Sequence, residues 1–176
     1  MRPHFQVVLD ELNLLAKLTA YEPTVIGTPP LGIDIDSSDI DIACNAANLE
    51  AFTSDMTARF ASRQDFVIEN ISVFPDPAVR VAFLAHDWEV ELFCQTLPIQ
   101  DQHGVRHFRI EKRLLKIDPT LRLRVRRLKQ AGQKTEPAFA ALLRLDGDPY
   151  EALLALEECS DEDLRRLIAD GLSDAS

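Results

Sequence analysis

The sequence predicts an α/β fold of the α+β kind: a mixed β-sheet core flanked by helices over residues 1–100, followed by a helical region, 101–176, packed on that core. Three observations lead there. Asp39-Ile40-Asp41-Ile42 alternates charged and apolar side chains with the period of a half-buried strand. Three apolar runs at 66–74, 79–85 and 88–94 are separated only by Pro75-Asp76-Pro77 and His86-Asp87, connectors short enough for hairpins. Past residue 100 the punctuation becomes that of helices: Asp118-Pro119, Thr135-Glu136-Pro137, Asp148-Pro149 and Ser160 are all starts.

The elements follow in order. Val7, Val8, Leu12, Leu15 and Leu18 share one side of a helix expected over 6–18, which Tyr21-Glu22-Pro23 ends. Thr24-Val25-Ile26 is a short strand leading into a glycine turn, and 39–44 is the second strand. A helix over 48–61 takes its cap from Asn45 or Asn48. In the C-terminal part, Leu121-Arg122-Leu123-Arg124-Val125-Arg126 alternates like a strand. The cap at Asp118-Pro119 and the stop at Gly132 favour a helix with Leu121, Val125 and Leu128 inward. Further helices open at Thr135, Asp148 and Ser160, the last closing near Gly171.

With 176 residues, 46% of them hydrophobic, the chain can bury a core, and no apolar run approaches the ~20 residues of a membrane span. Cys44, Cys94 and Cys159 are odd in number and form no Cys-x-x-Cys pair. They read as reduced, mostly buried thiols, and with no secretory leader visible at Met1-Arg2-Pro3-His4-Phe5 the expected location is cytoplasmic. A zinc site from Cys44, Cys94, His86 and His107 has no ligand spacing to support it. The net charge of −10 hides an asymmetry: residues 106–134 hold 11 basic and 2 acidic side chains, while 1–105 hold 5 and 16 and 135–176 hold 3 and 11. A basic block between acidic ones either pairs with its neighbours or meets a polyanion, and the stripe Arg122, Arg126 and Lys129 serves either purpose.

The chemistry concentrates in 27–42. Asp39 and Asp41 project from one face of a strand, and the turn at Gly27 brings bare backbone N–H groups near them. An acidic pair beside a phosphate-cradling turn is equipment for holding a divalent cation against a triphosphate. On a later strand Glu89 and Glu91 alternate with apolar residues, and Glu91, flanked by Val90 and Leu92, is the better candidate for a third carboxylate. Asp34 and Asp36 repeat the alternation and compete for the same role.

Gly27-Thr28 after Ile26, then Gly32, then Ser38-Asp39-Ile40-Asp41-Ile42, resembles the signature of the polymerase-β-type nucleotidyltransferase superfamily. Arg106-His107, Glu111-Lys112-Arg113-Leu114-Leu115, the stretch Gly132 to Phe139 and Gly147-Asp148-Pro149-Tyr150 are similar to a bacterial family of unknown function assigned to that superfamily. The resemblance implies a nucleotidyltransferase-type core and transfer of a nucleoside monophosphate from an NTP to a hydroxyl of a protein, RNA or small molecule, with release of pyrophosphate. It implies Mg²⁺, or Mn²⁺, held by Asp39, Asp41 and Glu91, which are thus both catalytic and metal-ligating. Gly27, Thr28 and Ser38 would then hold phosphate. Where family members often carry a basic residue between the two glycines, this chain has Pro29-Pro30-Leu31, so phosphate charge would fall to the basic block, to Arg106 and Arg113. No membrane partner is implied. The competing reading is a catalytically silent nucleotide- or partner-binding module of the same fold.

Overall fold

The computed structural model describes residues 2–72 and 76–173, so the expected end of the third strand at 73–74 and the Pro75 connector lie outside the described residues. The chain forms two compact units, one of residues up to 29 with 38–105, the other of 30–37 with 106–176. The sequence drew its boundary at residue 100; the packing also assigns the loop 30–37 to the C-terminal unit.

In the first unit the helix expected over 6–18 is two helices, α1 (Phe5–Glu11) and α2 (Leu14–Lys17). Asn13 between them is left-handed at φ 51°, a conformation that asparagine tolerates and a helix interior does not, so the apolar side continues while the helix axis breaks. Strands β1 (Thr24–Ile26) and β2 (Ile40–Asn45) follow, then α3 (Leu49–Phe60). Asn48 caps α3, its side-chain oxygen accepting from Ala51 N–H at 3.0 Å. Strands β3 (Gln64–Ser72), β4 (Pro77–Ala85) and β5 (Trp88–Gln95) complete a five-stranded sheet of order β1-β2-β5-β4-β3. β2 and β5 run parallel and every other neighbouring pair antiparallel. His86 and Asp87, both at positive φ, make the two-residue turn whose twist suits a tight hairpin.

Strand alternation gives this sheet two unlike faces. Ile40, Ile42, Val79, Val81, Phe83, Val90 and Leu92 point into a core closed by Val8, Leu14, Phe52, Met56 and Phe60 from the helices. Phe60 and Phe83 stack with centroids 4.9 Å apart. The other face carries the intervening residues, among them Asp41, Arg80, Glu89, Glu91 and Phe93.

The second unit is helical. α4 (His103–Ile117) begins in the first unit and continues into it, followed by α5 (Leu121–Gln130), α6 (Thr135–Leu143), α7 (Pro149–Ala155) and α8 (Asp161–Leu172). The alternating segment at 121–126 is helix: Leu121 and Val125 are fully buried while Leu123 is 57% exposed, the separation of a 3.6-residue period. α5 starts two residues later than Asp118-Pro119 suggested, because the Asp118 carboxylate caps a preceding turn by accepting from Thr120 N–H at 2.9 Å. Asp148 caps α7 through Tyr150 and Glu151 N–H, and Ser160 caps α8 through Asp163 N–H. Leu31 and Ile33 of the 30–37 loop join the core of Leu114, Leu121, Val125, Phe139, Leu153 and Ile168. Arg122 Nε donates to Leu31 O at 3.1 Å and fixes the loop there. Among the described residues no helix is long and apolar enough to cross a membrane.

Candidate active site

The parallel pairing of β2 with β5 sets Asp41 directly beside Glu91, and antiparallel pairing sets Ile26 of β1 on the other side of Asp41. Both carboxylates lie on the face opposite the core, and Asp39 stands one position before β2 begins. Gly27 follows Ile26 at φ +75°, and a Cβ built on it would fall 2.1 Å from Asp41 Oδ2. Glycine is therefore required twice, for the left-handed turn and because the Asp41 carboxylate rests against the bare Cα. Thr28 and Ser38 are both buried, and Thr28 Oγ1 donates to Ser38 Oγ at 3.1 Å, closing the turn onto the residue before Asp39. Arg2 donates to Ser38 O at 2.7 Å while stacking over Trp88 at 3.4 Å, so an N-terminal cation steadies the same corner.

Glu91 sits among charges. Arg80 of β4 donates from Nε to its Oε2, from Nη2 to Glu89 Oε1 at 2.9 Å and from Nη1 to Glu69 Oε2 at 3.4 Å. Burial pushes the Glu91 carboxyl up from its ordinary value; the Arg80 guanidinium pulls it down, and the charges of Asp39 and Glu89 push it up again. Burial prevails, so Glu91 holds its proton more tightly than a free glutamate.

Asp41 and Glu91 thus share one face as register partners, with Asp39 two residues before Asp41 in the chain. Among the described residues no group of three or more histidine, cysteine, aspartate or glutamate side chains is gathered into a ready metal cage. Glu91 is engaged by the Arg80 guanidinium, and the carboxylates of Asp39 and Asp41 are hard-oxygen donors beside it in the sequence-predicted set. That donor set suits Mg²⁺, which is held by one or two carboxylates together with substrate phosphates rather than by an all-protein cage. Asp34 and Asp36 lie in the loop assigned to the C-terminal unit and outside any strand.

The two arginines expected to meet phosphate belong to the C-terminal unit, where acids of that unit hold them. Arg106 Nε donates to Glu157 Oε2 at 2.9 Å; Arg113 donates to Asp161 Oδ1 at 2.8 Å and to Cys159 O at 2.6 Å. His107 is 7% exposed, with Nε2 3.0 Å from Tyr150 O. Sequence reasoning missed two features of the open face. One is Arg80, whose partners are distant in sequence. The other is a cavity of about 250 Å³ lined by Ile26, Asp41, Ala43, Glu91, Phe93 and Gln102 among others. Phe93, two residues beyond Glu91 on the same face, was the one available signal for it.

A family model described as a domain of unknown function, DUF4269, matches residues 7–156. No curated protein matches the sequence. Among solved structures the chain is similar to Cid1 poly(U) polymerase with MgGTP bound, at a TM-score of 0.55 and 13% identity over 85% of this chain and 47% of that one. It is similar to GLD-2 in the structure of the GLD-2/RNP-8 complex, at a TM-score of 0.56 and 14% identity over 96% and 74%. Cid1 in complex with its short product ApU gives a TM-score of 0.52 at 14% identity over 85% and 46%. This chain spans about half the length of the Cid1 chains. Both neighbours are polymerase-β-type nucleotidyltransferases, and at these identities the likeness is one of fold.

Proposed function

We propose that this chain, which belongs to the DUF4269 family, is a nucleotidyltransferase that moves a nucleoside monophosphate from an NTP to a hydroxyl acceptor and releases pyrophosphate. One observation supports the reading: the Asp41 carboxylate rests on the Cα of Gly27 with Glu91 as its register partner, so a glycine turn lies beside two acids of separate strands.

Asp39 and Asp41 would hold a divalent cation, Mg²⁺ or Mn²⁺, which when bound offsets the negative charge that gathers on a transferring phosphate. The backbone N–H groups at Gly27 and Thr28 supply fixed donors for the outer phosphates, and the Thr28–Ser38 hydrogen bond keeps that turn in register with Asp39. Glu91 is the base for the attacking hydroxyl. Its burial raises its proton affinity, Arg80 anchors it through Oε2, and Oε1 is the oxygen that takes the proton. Arg106 and Arg113 are proposed as a second set of phosphate contacts that would need release from Glu157 and Asp161.

Of protein, RNA and small-molecule acceptors, an RNA end ranks first, because the neighbour Cid1 is described as having RNA terminal uridylyl transferase activity. A catalytically silent nucleotide-binding module is the second reading. Arg80 seated on Glu91 favours it, since a guanidinium already neutralises the third carboxylate. The deciding experiment offers α-labelled ribonucleoside triphosphates with Mg²⁺ or Mn²⁺ to short RNAs and to protein extract. Transfer by wild type that disappears in Asp39→Ala/Asp41→Ala supports the enzyme. Transfer that survives the double substitution removes the proposed site, and triphosphate binding without any transfer selects the silent module.

A further inference from the structure

We infer that the cavity beside Asp41 and Glu91 is a nucleobase pocket and that Gln102 reads an N–H donor on the base; this rests on the nucleotidyltransferase reading above.

Gln102 is 1% exposed and lines the cavity. Its Nε2 donates to Cys44 O at 2.8 Å and to Leu97 O at 3.1 Å. Both partners are carbonyl oxygens, which can only accept, so the amide cannot be turned over and the identity of its oxygen is settled by its neighbours. That oxygen, Oε1, has no hydrogen-bond partner among the described residues, and no other buried side-chain N or O there shares this state. A buried acceptor without a donor is unfavourable; Oε1 is itself buried, and because Gln102 lines the cavity, a ligand that brings a donor relieves it by drawing the amide edge towards that wall.

The surroundings define the ligand. The cavity holds about 250 Å³, just under the ~300–1,000 Å³ typical of pockets for drug-sized molecules, which is room for one flat ring system rather than a whole nucleotide. Its wall is apolar over most of its area, with Ile26, Ala43, Leu97 and the half-buried Phe93, an aromatic ring of the kind that stacks on a heterocycle, beside the polar Asp76, Gln95 and His103. The acids lie at Asp41, and Gln102 is tied to Cys44, three residues further along β2, or about 10 Å at the rise of a strand. That separation is the reach of a nucleotide from its reacting phosphate to the far edge of its base. Every lining residue belongs to the first unit.

An acceptor at the pocket end selects for any base that presents N–H there and against an isostere that lacks it. The test compares paired triphosphates on the full chain with Mg²⁺ by equilibrium binding: ATP against purine riboside triphosphate, and UTP against its N3-methyl derivative. The expected result is about tenfold or greater loss of affinity for the donor-less member of the better-bound pair, since Oε1 is left unsatisfied. Gln102→Met should erase that difference, with a melting curve to confirm folding; the wild-type comparison stands without it. Equal affinities within both pairs would overturn the pocket assignment and leave the nucleotide reading intact. Failure to bind any triphosphate would overturn both. Discrimination by adenine-containing oligonucleotides but not by triphosphates would overturn it as well, by giving the pocket to the acceptor.

Discussion

Asp41 and Glu91 differ chemically although both are carboxylates on neighbouring strands in register. Asp41 rests against the Cα of Gly27, whereas Glu91 is largely buried and bound to Arg80. Two acids in unlike environments can take unlike roles, one electrostatic and one basic. Glu91→Gln keeps the shape and the Arg80 contact through its amide oxygen but removes the base. Nucleotide transfer should fall about 10²–10⁴-fold while triphosphate affinity changes little. Transfer rates and binding constants measured together check this; a parallel loss of both would show that Glu91 serves binding instead.

At the scale of elements, close backbone approach decides as much as periodicity. Gly171 reads in the sequence as a helix stop, yet α8 runs through it to Leu172. Its role is contact: a Cβ there would fall 2.4 Å from Leu142 O and 3.1 Å from Leu143 Cα at the end of α6. Backbone cannot yield as a flexible side chain does, so the helices must move apart. Gly171→Ala should lower the stability of the helical unit by roughly 1–3 kcal/mol, despite the better helix propensity of alanine. Urea unfolding followed by circular dichroism checks this, and a stabilised variant would refute it. The same distinction separates what was legible from what was not. The strand and helix periods of 39–44 and 48–61 are local and could be read. The break at Asn13 and the contact at Gly171 depend on single backbone torsions and on a neighbour 29 residues away.

Over the whole molecule the charge asymmetry resolves partly into pairs within the C-terminal unit, Arg106 with Glu157 and Arg113 with Asp161. Ionisable groups are buried there too: Glu111 is 4% exposed and Lys129 9%. Burial first, then the Glu136 charge, pushes its carboxyl well above the ordinary 4.5, with Lys129 pulling the other way. The folded chain therefore binds this proton more tightly than the unfolded one. Its contribution is fully present below about pH 4.5 and is lost as the pH rises through the folded value. Wild type should lose stability relative to Glu111→Gln as pH increases from 5 towards 8. Unfolding free energies across that range check the slope, and a difference that grows in the opposite direction would contradict it.

The sequence alone determined the α+β class, the acidic face of the second strand and the glycine turn beside it, because alternation, capping and turn chemistry act over a few consecutive residues. Tertiary structure decided which groups those acids meet. Arg80 reaches Glu91 through the register of an antiparallel pair, the 30–37 loop joins the helical core through Leu31 and Ile33, and the Gln102 amide is held by the distant carbonyl of Cys44 and the nearby one of Leu97, its oxygen unmatched. Such meetings depend on strand order and packing in three dimensions, which no local pattern of residue types specifies.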